Sequence, residues 1–414
     1  MTSGDVEVAI VGGGAAGIAA ARRLHDAGLR CLIIEARPRL GGRSWTVLDP
    51  SGFAIDLGCG WLHSADRNPW SDIAKSQGHV IDKTPPPWMR PSLTYGFSIA
   101  EQREFGNASH AFYQRLDQAE QHPDQPASAL LEPGGRWNNL IVAINTFVAG
   151  AELPDVSAHD LARYEDSGVD WRVTGGYGTL ISNYAADVPT KLNCPVHRID
   201  RSGLRLRIET TMGVVTVDQA IIAVPTSMLT DETFFTPALP DKVGAALGLP
   251  LGLDDKLFLS LDHAEEFEEG SRLFGRTDQI GTGAYHLRPF GRPQIEAYFG
   301  GTLARELEAA GDAAFFDFAS SELTGLLGND FAKRIKPIRV HRWGADPFAR
   351  GSYSFALPGK ADERAVLERP IEDRLFFAGE ACSRNDYSTA HGAFLTGVAA
   401  ADQVLAARRK AKAP

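Results

Sequence analysis

The fold is decided by Val8-Ala9-Ile10-Val11-Gly12-Gly13-Gly14-Ala15-Ala16-Gly17, where an apolar run of strand length leads into a glycine-rich turn. An Ala-rich stretch follows and predicts a helix that ends near Gly28. In this G-x-G-x-x-G pattern, Gly12 permits the tight turn, Gly14 lets a pyrophosphate approach the backbone, and Gly17 lets the helix pack close to the strand. The pattern predicts a βαβ unit that binds a dinucleotide at the helix N-terminus, where unpaired N–H groups face phosphate.

A second apolar run, Cys31-Leu32-Ile33-Ile34, leads into Glu35. The carboxylate of Glu35 is placed to accept hydrogen bonds from a ribose hydroxyl pair. An acidic side chain there disfavours a 2′-phosphate, so NADP is not expected at this site. The glycine pattern by itself leaves FAD and NAD both open.

The bulk properties fit a globular enzyme. The chain has 414 residues, of which 43% are hydrophobic and 23% charged, so two or three domains and a core large enough for a big cofactor are expected. The formal net charge of −10 argues against general nucleic-acid binding.

The sequence also bears on location. Residues 1–5 lead directly into the first strand, and no apolar run is long enough to span a bilayer, so we expect no signal peptide, no membrane association and a cytoplasmic location. The four cysteines form no C-x-x-C motif and are expected to be reduced thiols, and no metal site is predicted.

The rest of the chain alternates between strand and helix patterns. A break at Thr84-Pro85-Pro86-Pro87-Trp88 indicates a domain crossing, and residues 123–135 are rich in Pro, Gly and polar residues, which predicts a loop. Strands are predicted at 204–209, 214–217, 220–224, 258–261, 294–299 and 375–378, and helices at 100–122, 303–327 and 392–408. The pattern predicts an α/β dinucleotide domain with interleaved insertions.

Several motifs, taken in order, resemble the flavin-dependent amine oxidase family over nearly the whole chain. They are Gly41-Gly42-Arg43, Ala220-Ile221-Ile222-Ala223-Val224-Pro225, Phe235-Thr236-Pro237-Ala238-Leu239-Pro240, Gly252 with Lys256, Trp343 followed by Asp346 to Tyr353, and Phe377-Ala378-Gly379-Glu380. Two stretches look closest to polyamine oxidases and their histone-demethylase relatives, namely Leu57-Gly58-Cys59-Gly60-Trp61-Leu62-His63 and Tyr387-Ser388-Thr389-Ala390-His391-Gly392-Ala393.

The resemblance implies an α/β fold, α+β overall, with two interleaved domains. A Rossmann-like FAD-binding domain would comprise residues 1–83, 190–245 and 345–414. A substrate-binding domain with a mixed sheet and helices would comprise residues 84–189 and 246–344.

The resemblance also implies FAD as the cofactor, and it settles the choice that the glycine pattern leaves open. FAD is expected to be non-covalent, because Ser352 stands where some monoamine oxidases have a cysteine bonded to the flavin. The N-terminus of the last helix, near Ala390, would face the flavin. The residues expected to bind FAD are Gly12, Gly14, Ala15, Ala16, Gly17, Glu35, Ala36, Arg37, Gly41, Gly42, Arg43, Gly58, Gly60, Trp61, Val196, Gly379, Glu380, Thr389 and Ala390.

Five side chains are implied to form the catalytic site. Lys256 would hold a water near flavin N5, and Tyr353 would form one wall of an aromatic cage that orients the amine. Thr389 falls at the second wall, where monoamine oxidases have a tyrosine. Trp343 would help wall the site, with a core tryptophan as the alternative, and His63 would hydrogen-bond the amine, with a structural histidine as the alternative.

The expected reaction is oxidation of an amine to an imine, which is hydrolysed to an aldehyde or ketone while O2 is reduced to hydrogen peroxide. The partners would be a small-molecule amine and O2; the oligomeric state and the choice among polyamine, monoamine, amino-acid-derived amine and alkaloid stay open. The alternatives are a desaturase or dehydrogenase of a carbon skeleton, an L-amino-acid oxidase, which needs an arginine for the carboxylate, and a catalytically silent flavin-binding scaffold.

Overall fold

Strands and helices alternate in the computed structural model, which describes residues 6–412. The strands are β1 (Val8–Val11), β2 (Cys31–Ile34), β3 (Thr46–Leu48), β4 (Ala54–Asp56), β5 (Ile81–Asp82), β6 (Arg172–Val173), β7 (Thr190–Lys191), β8 (Val196–Asp200), β9 (Leu206–Thr210), β10 (Gly213–Val217), β11 (Gln219–Ile222), β12 (Phe235–Thr236), β13 (Asp254–Leu261), β14 (Ser271–Phe274), β15 (Ala284–Leu287), β16 (Gln294–Gly300), β17 (Ile335–Val340) and β18 (Leu375–Phe377). The α-helices are α1 (Ala15–Asp26), α2 (Pro69–Ser76), α3 (Ile99–Leu116), α4 (Asn138–Ala149), α5 (Ala158–Arg163), α6 (Tyr177–Asn183), α7 (Thr226–Leu229), α8 (Pro240–Gly248), α9 (Gly301–Ala310), α10 (Asp312–Leu327), α11 (Glu363–Glu368) and α12 (Ala390–Lys412).

A parallel sheet in the order β18-β11-β1-β2-β7 carries the glycine-rich turn. In this sheet Val8 pairs with Cys31 on one side and with Gln219 on the other. All four residues of β1 are buried, which is typical of a parallel strand covered on both faces. The helices α1 and α12 pack together on one face, so closely that a Cβ at Gly397 would lie 2.2 Å from the carbonyl oxygen of Ala16.

The other face of the parallel sheet packs against a smaller sheet in the order β10-β9-β8-β12. Along β9, buried residues alternate with more accessible ones, because one side of the strand contacts this core and the other faces solvent. The predicted hairpin at residues 204–217 is therefore present, with its strands at β9 and β10.

A third sheet has the order β14-β15-β16-β13-β17. In the sequence, its strands lie between β12 and β18. One of its faces packs on α9 and α10 through residues such as Leu259, Ile295 and Phe315. The fold class expected from the sequence is confirmed. In detail, the sheet that was expected to be mixed has antiparallel pairings throughout.

The helix boundaries differ from the sequence expectations at several points. The helix predicted at 100–122 ends at Leu116, and a 3-10 turn at Ala119–Gln121 precedes Pro123, which cannot continue a helix. The helix predicted at 303–327 is two helices, because Gly311 between them has a φ of +98°. The last helix begins at Ala390 and extends to Lys412.

The division into FAD-binding and substrate-binding domains stays a prediction. Within the predicted substrate-binding segment 84–189, the side chains of Val173, Leu180 and Val188 lie in the same core as α1. That stretch therefore packs with the parallel sheet. Among the described residues, no helix is long and apolar enough to cross a membrane.

Candidate active site

A cavity of about 1020 Å³ extends from the parallel sheet to the antiparallel one, at the upper end of the range for ligand sites. All the residues that the sequence assigned to FAD or to catalysis line this cavity, apart from Gly17. Gly17 lies beneath the turn, where a Cβ would be 1.9 Å from the carbonyl oxygen of Gly12. The sequence motifs therefore converge on one space.

The first end of the cavity is a cradle of backbone. The loop at Gly41-Gly42 lies against the glycine-rich turn, and a β-bridge joins Gly14 to Gly41. Neither Gly12, Gly14 nor Gly42 brings a side chain into the cavity, and α1 begins there at Ala15. Exposed backbone at a helix N-terminus fits a pyrophosphate, so the residues present fit a dinucleotide.

Glu35 and Arg37 follow β2 and line the cavity. The Glu35 carboxylate accepts the N–H of Gly13 at 2.6 Å and that of Arg37 at 2.8 Å, so it braces the glycine-rich turn. The Arg37 guanidinium pairs with Asp346 at 2.7 Å. Val196 lies at the start of β8 and also lines the cavity.

Arg43 and Glu380 form an ion pair farther along the cavity. Arg43 Nη1 donates to Glu380 Oε1 at 3.0 Å and to the carbonyl oxygen of Ser352 at 2.8 Å. Glu380 Oε2 accepts from the Ser354 hydroxyl and from the Ser388 N–H. Burial opposes ionisation of Glu380, but Arg43 and these hydrogen bonds hold its pKa below the ordinary value.

Thr389 caps the last helix. Its Oγ1 accepts the N–H of Gly392 at 2.9 Å and donates to the carbonyl oxygen of Asp386 at 2.6 Å. The sequence suggested a cage wall and an FAD contact at this position. The hydroxyl also fixes the start of α12, and Ala390 follows it on the cavity wall.

Lys256 projects from near the start of β13 into the cavity. Its Nζ lies 3.1 Å from Glu296 Oε1 and 3.2 Å from the carbonyl oxygen of Asp56. A Cβ at Gly60 would lie 3.2 Å from this ammonium, so a glycine keeps the space open. An ammonium has three N–H donors, and two partners leave one donor for the cavity.

Glu296 balances the charge behind Lys256 and is completely buried. Its Oε2 lies 2.9 Å from Arg172 Nη1, and its Oε1 accepts the Tyr298 hydroxyl at 2.7 Å. Burial would raise the pKa of Glu296, but Arg172 and Lys256 hold it well below its usual range. The group is therefore a carboxylate between two cations.

Tyr353 lies beside the start of β13, because Ser352 and Gly252 hydrogen-bond across the two backbones. The Tyr353 hydroxyl donates to the carbonyl oxygen of Phe147 at 2.5 Å. Nearby, burial raises the pKa of Asp254, which also lines the cavity, well above its ordinary value.

Trp343 belongs mainly to the core. It is 2% exposed, and its indole N–H donates to the carbonyl oxygen of Leu57 at 3.0 Å. Part of the side chain also lines the cavity. Trp343 therefore packs in the core and also contributes part of the cavity wall.

His63 is placed by a short bridge between Leu62 and Trp171. This bridge sets His63 beside Asp170, with Nδ1 2.8 Å from Asp170 Oδ1. Asp166 completes a group whose ligand atoms lie within 4.8 Å of one another. Asp166 Oδ1 already accepts hydrogen bonds from the Ser64 hydroxyl and the Gly168 N–H.

Several residues of the site were missed in the sequence. For Glu296 a signal existed, since a charged residue interrupts the apolar run of β16. For Trp88 the only signal was a proline-rich break, yet its ring lies 4.5 Å from that of Trp61 and 6.3 Å from that of His63. The main residues missed are Trp88, Asp170, Arg172, Asp254, Arg272, His286, Glu296 and Tyr298.

Comparison with known proteins finds a matching family and several similar relatives. The model of the flavin containing amine oxidoreductase family matches residues 15–78 and 145–405. Polyamine oxidase 3 of Oryza sativa subsp. japonica is 30% identical, with 95% of this chain and 88% of the relative covered. Polyamine oxidase 2 of Arabidopsis thaliana is 28% identical, with 97% and 88% covered.

A more distant similarity links the chain to lysine-specific histone demethylase 2 of Homo sapiens, at 24% identity over 96% of this chain and 53% of the relative. The family match covers most of the chain and includes the helix α1 that follows the glycine-rich turn, the Lys256 strand and the Glu380 segment. The chain belongs to the flavin-containing amine oxidoreductase family and is an oxidoreductase.

Proposed function

We propose that this protein oxidises the C–N bond of a small-molecule amine to an imine, with FAD held non-covalently and O2 reduced to hydrogen peroxide. Water then hydrolyses the imine to an aldehyde or ketone. The observation that carries the proposal is that the backbone cradle and the Lys256 ammonium line the same cavity. A dinucleotide that starts at the cradle would extend toward Lys256.

The residues proposed to hold FAD are those of the cradle, with Glu35 toward the ribose and Arg43 toward the pyrophosphate or flavin. When bound, FAD would supply the hydride acceptor for the carbon next to the amine nitrogen, and reduced FAD would supply the electrons for O2. The N-terminus of α12, which Thr389 caps at the cavity wall, would present its positive dipole end to negative charge on the cofactor.

The protein side chains then orient the substrate and a water molecule. The third N–H of Lys256 is proposed to hold a water at the reacting end of the cavity. Asp170 holds the ring of His63 in place through Nδ1. In the tautomer with the proton on Nδ1, Nε2 of His63 is free to accept a hydrogen bond from the amine. Tyr353 supplies an aromatic face for a partly cationic nitrogen.

Non-covalent binding is supported by the chemistry of two side chains. The Ser352 hydroxyl donates to the carbonyl oxygen of Asp254 at 2.8 Å and accepts the Asp254 N–H, so it is engaged with backbone. Cys59 lines the cavity, but its thiol donates to Ser44 Oγ, and burial raises its pKa to about 12. A protonated thiol is a poor nucleophile.

The test is anaerobic mixing of the purified holoenzyme with spermine, spermidine, putrescine, aromatic monoamines and amino acids, followed by absorbance at the flavin band. Bleaching by at least one amine, with peroxide formed when air is admitted, is expected. If no amine bleaches the flavin, the proposal fails, and a silent scaffold or a carbon-skeleton dehydrogenase remains.

A pair of lysine variants tests the site itself. Lys256→Met should lower kcat/KM by about 100-fold, the lower range for a group that assists proton transfer. Lys336→Met, on the neighbouring strand β17 and exposed, should leave kcat/KM unchanged. Equal activity of both variants at equal FAD content contradicts the assignment of Lys256.

A further inference from the structure

Arg272 lies on the cavity wall, and the amine chemistry proposed above does not use it. Its Nε donates to the Ser92 hydroxyl at 3.1 Å, and its guanidinium lies 4.8 Å from the ring centre of Phe274. Among the described residues, no carboxylate lies within ion-pair distance of it. The terminal nitrogens are thus held in place without a charged partner.

The sheet register fixes where Arg272 stands relative to Lys256. Arg272 on β14 is opposite His286 on β15, and Lys256 on β13 is opposite Tyr298 on β16. Three strand spacings separate β14 from β13, which is about 14 Å at the usual strand separation. The two long side chains project from the same face, so their charged ends border opposite parts of one cavity.

The charges on this face leave Arg272 uncompensated. Glu296 is already shared by Lys256 and Arg172. Burial raises the pKa of Asp254 well above its ordinary value, and burial lowers the pKa of His286 to about 3, so the imidazole is neutral at neutral pH. Burial lowers the pKa of Arg272 to about 10, which still leaves the guanidinium charged at neutral pH.

The remaining acids do not offset Arg272 either. Asp170 is hydrogen-bonded to His63, and Asp117 and Asp166 are exposed. The other acids on the cavity wall are engaged elsewhere: Asp160 with Arg364, Glu380 with Arg43, and Glu35 with backbone N–H groups. A partly buried cation without a partner is unfavourable, and a ligand that brings an anion relieves that cost. A polyamine, by contrast, would bring further positive charge to this wall.

We propose that Arg272 binds a carboxylate on the amine substrate, several bonds away from the nitrogen that is oxidised. The proposal rests on the proposed function and names its substrate class: amino acids in which a carbon chain separates the reacting amine from the carboxylate. Two parallel N–H groups of a guanidinium match the two oxygens of a carboxylate, which suits Arg to this task.

The experiment compares three six-carbon amines that differ only at the far end: hexylamine, 1,6-diaminohexane and 6-aminohexanoate, with 4-aminobutanoate and 8-aminooctanoate to vary the length. Anaerobic reduction of the holoenzyme flavin gives the rate and the apparent dissociation constant for each. Calorimetry with hexanoate, which has no amine, measures carboxylate binding apart from turnover.

Arg272→Gln should weaken use of 6-aminohexanoate and binding of hexanoate by about 30-fold or more, the effect of removing one partner of a buried charge pair. The rate and the apparent dissociation constant for hexylamine should change by less than about threefold, because its uncharged end forms no ion pair with the guanidinium. Arg272→Glu should shift the preference to 1,6-diaminohexane, a gain that misfolding cannot produce. Arg276→Gln, an exposed arginine just beyond the same strand, is the matched control.

The proposal is overturned if the wild-type enzyme oxidises diamines or polyamines better than every amino acid in the series, or if Arg272→Gln leaves the ratio of 6-aminohexanoate to hexylamine unchanged. An enzyme that oxidises other amines but none of these amino acids overturns it as well. Failure of the proposed function itself is distinct, because then no amine of any kind bleaches the flavin.

Discussion

Glu296 is the residue on which the charge balance of the cavity wall depends. It is 0% exposed and carries the only carboxylate that ion-pairs with Lys256 and Arg172 in the described part of the chain. Both cations would otherwise be buried without compensation. The position of the Lys256 ammonium therefore follows from a residue on the adjacent strand.

Replacing Glu296 by Gln should lower the free energy of unfolding by about 3–5 kcal/mol, the usual effect of removing one partner of a buried ion pair. Denaturant unfolding of the holoenzyme measures this. Glu266→Gln is the control, because Glu266 pairs with Arg334 at the surface and should change stability by less than about 1 kcal/mol. Similar values for the two variants would contradict the role of Glu296.

Asp254 should make stability fall as the pH rises. Its folded-state pKa lies above the ordinary value of 3.8, so the folded protein keeps a proton that the unfolded chain releases. Stability is therefore lost as the pH increases from the unfolded pKa toward the folded one. The Asp254→Asn variant has no such proton to keep.

The stability of Asp254→Asn relative to wild type should accordingly increase with pH, by up to about 1.4 kcal/mol for each pH unit in that range. Unfolding free energies measured between pH 5 and 8 check this. Asp255 has a pKa raised in the same direction, but it is present in both proteins and cancels in the difference. A constant difference across the range would show that Asp254 is ionised in the folded protein.

At the scale of the element, Thr389 combines a helix cap with a place on the cavity wall. Thr389→Val keeps the shape but removes the hydroxyl that accepts the Gly392 N–H, and should lower stability by about 1 kcal/mol and weaken FAD binding. Thr389→Ser keeps the cap and should match wild type in both measurements. If Thr389→Val keeps the stability and FAD binding of the wild type while Thr389→Ser loses them, the methyl group of Thr389 matters and its capping hydroxyl does not.

Elements with a strong local signal were predicted closely. The strand β1, the turn at Gly12 and the helix α1 lie where the glycine spacing placed them, because the turn itself requires those residues. The break at Gly311 was missed, since an apolar pattern continues on both sides of it and only the backbone angle reveals the interruption.

At the scale of the whole molecule, the cavity passes between layers that the cofactor would hold together. Removing FAD should therefore lower the melting temperature, and adding it back at about 1,000 times its dissociation constant should restore about 4 kcal/mol of stability. Thermal unfolding at several FAD concentrations measures this. Acid precipitation should leave all of the flavin in the supernatant, and flavin that stays with the pellet would contradict non-covalent binding.

The candidate site was predictable only where its residues sit in ordered motifs. The cradle, Lys256 and Tyr353 belong to such motifs, and the family assignment made from them is confirmed. Asp170 and Arg272 could not be found in this way. Asp170 contacts His63 because a β-bridge joins two distant segments of the chain. The proposed role of Arg272 depends on the charged groups of three neighbouring strands, which only the folded sheet brings together.

The parallel sheet also sets the order in which the enzyme can be made. Val8 in β1 pairs with Gln219 in β11, and β11 in turn pairs with β18. The sheet therefore cannot be completed until these two strands, which are synthesised much later than the glycine-rich turn, have left the ribosome. Glu380 and Thr389 emerge later still. Although β1 can pair with β2 early, its other edge stays unpaired through most of synthesis, and the cofactor can stabilise the complete sheet only near the end of synthesis.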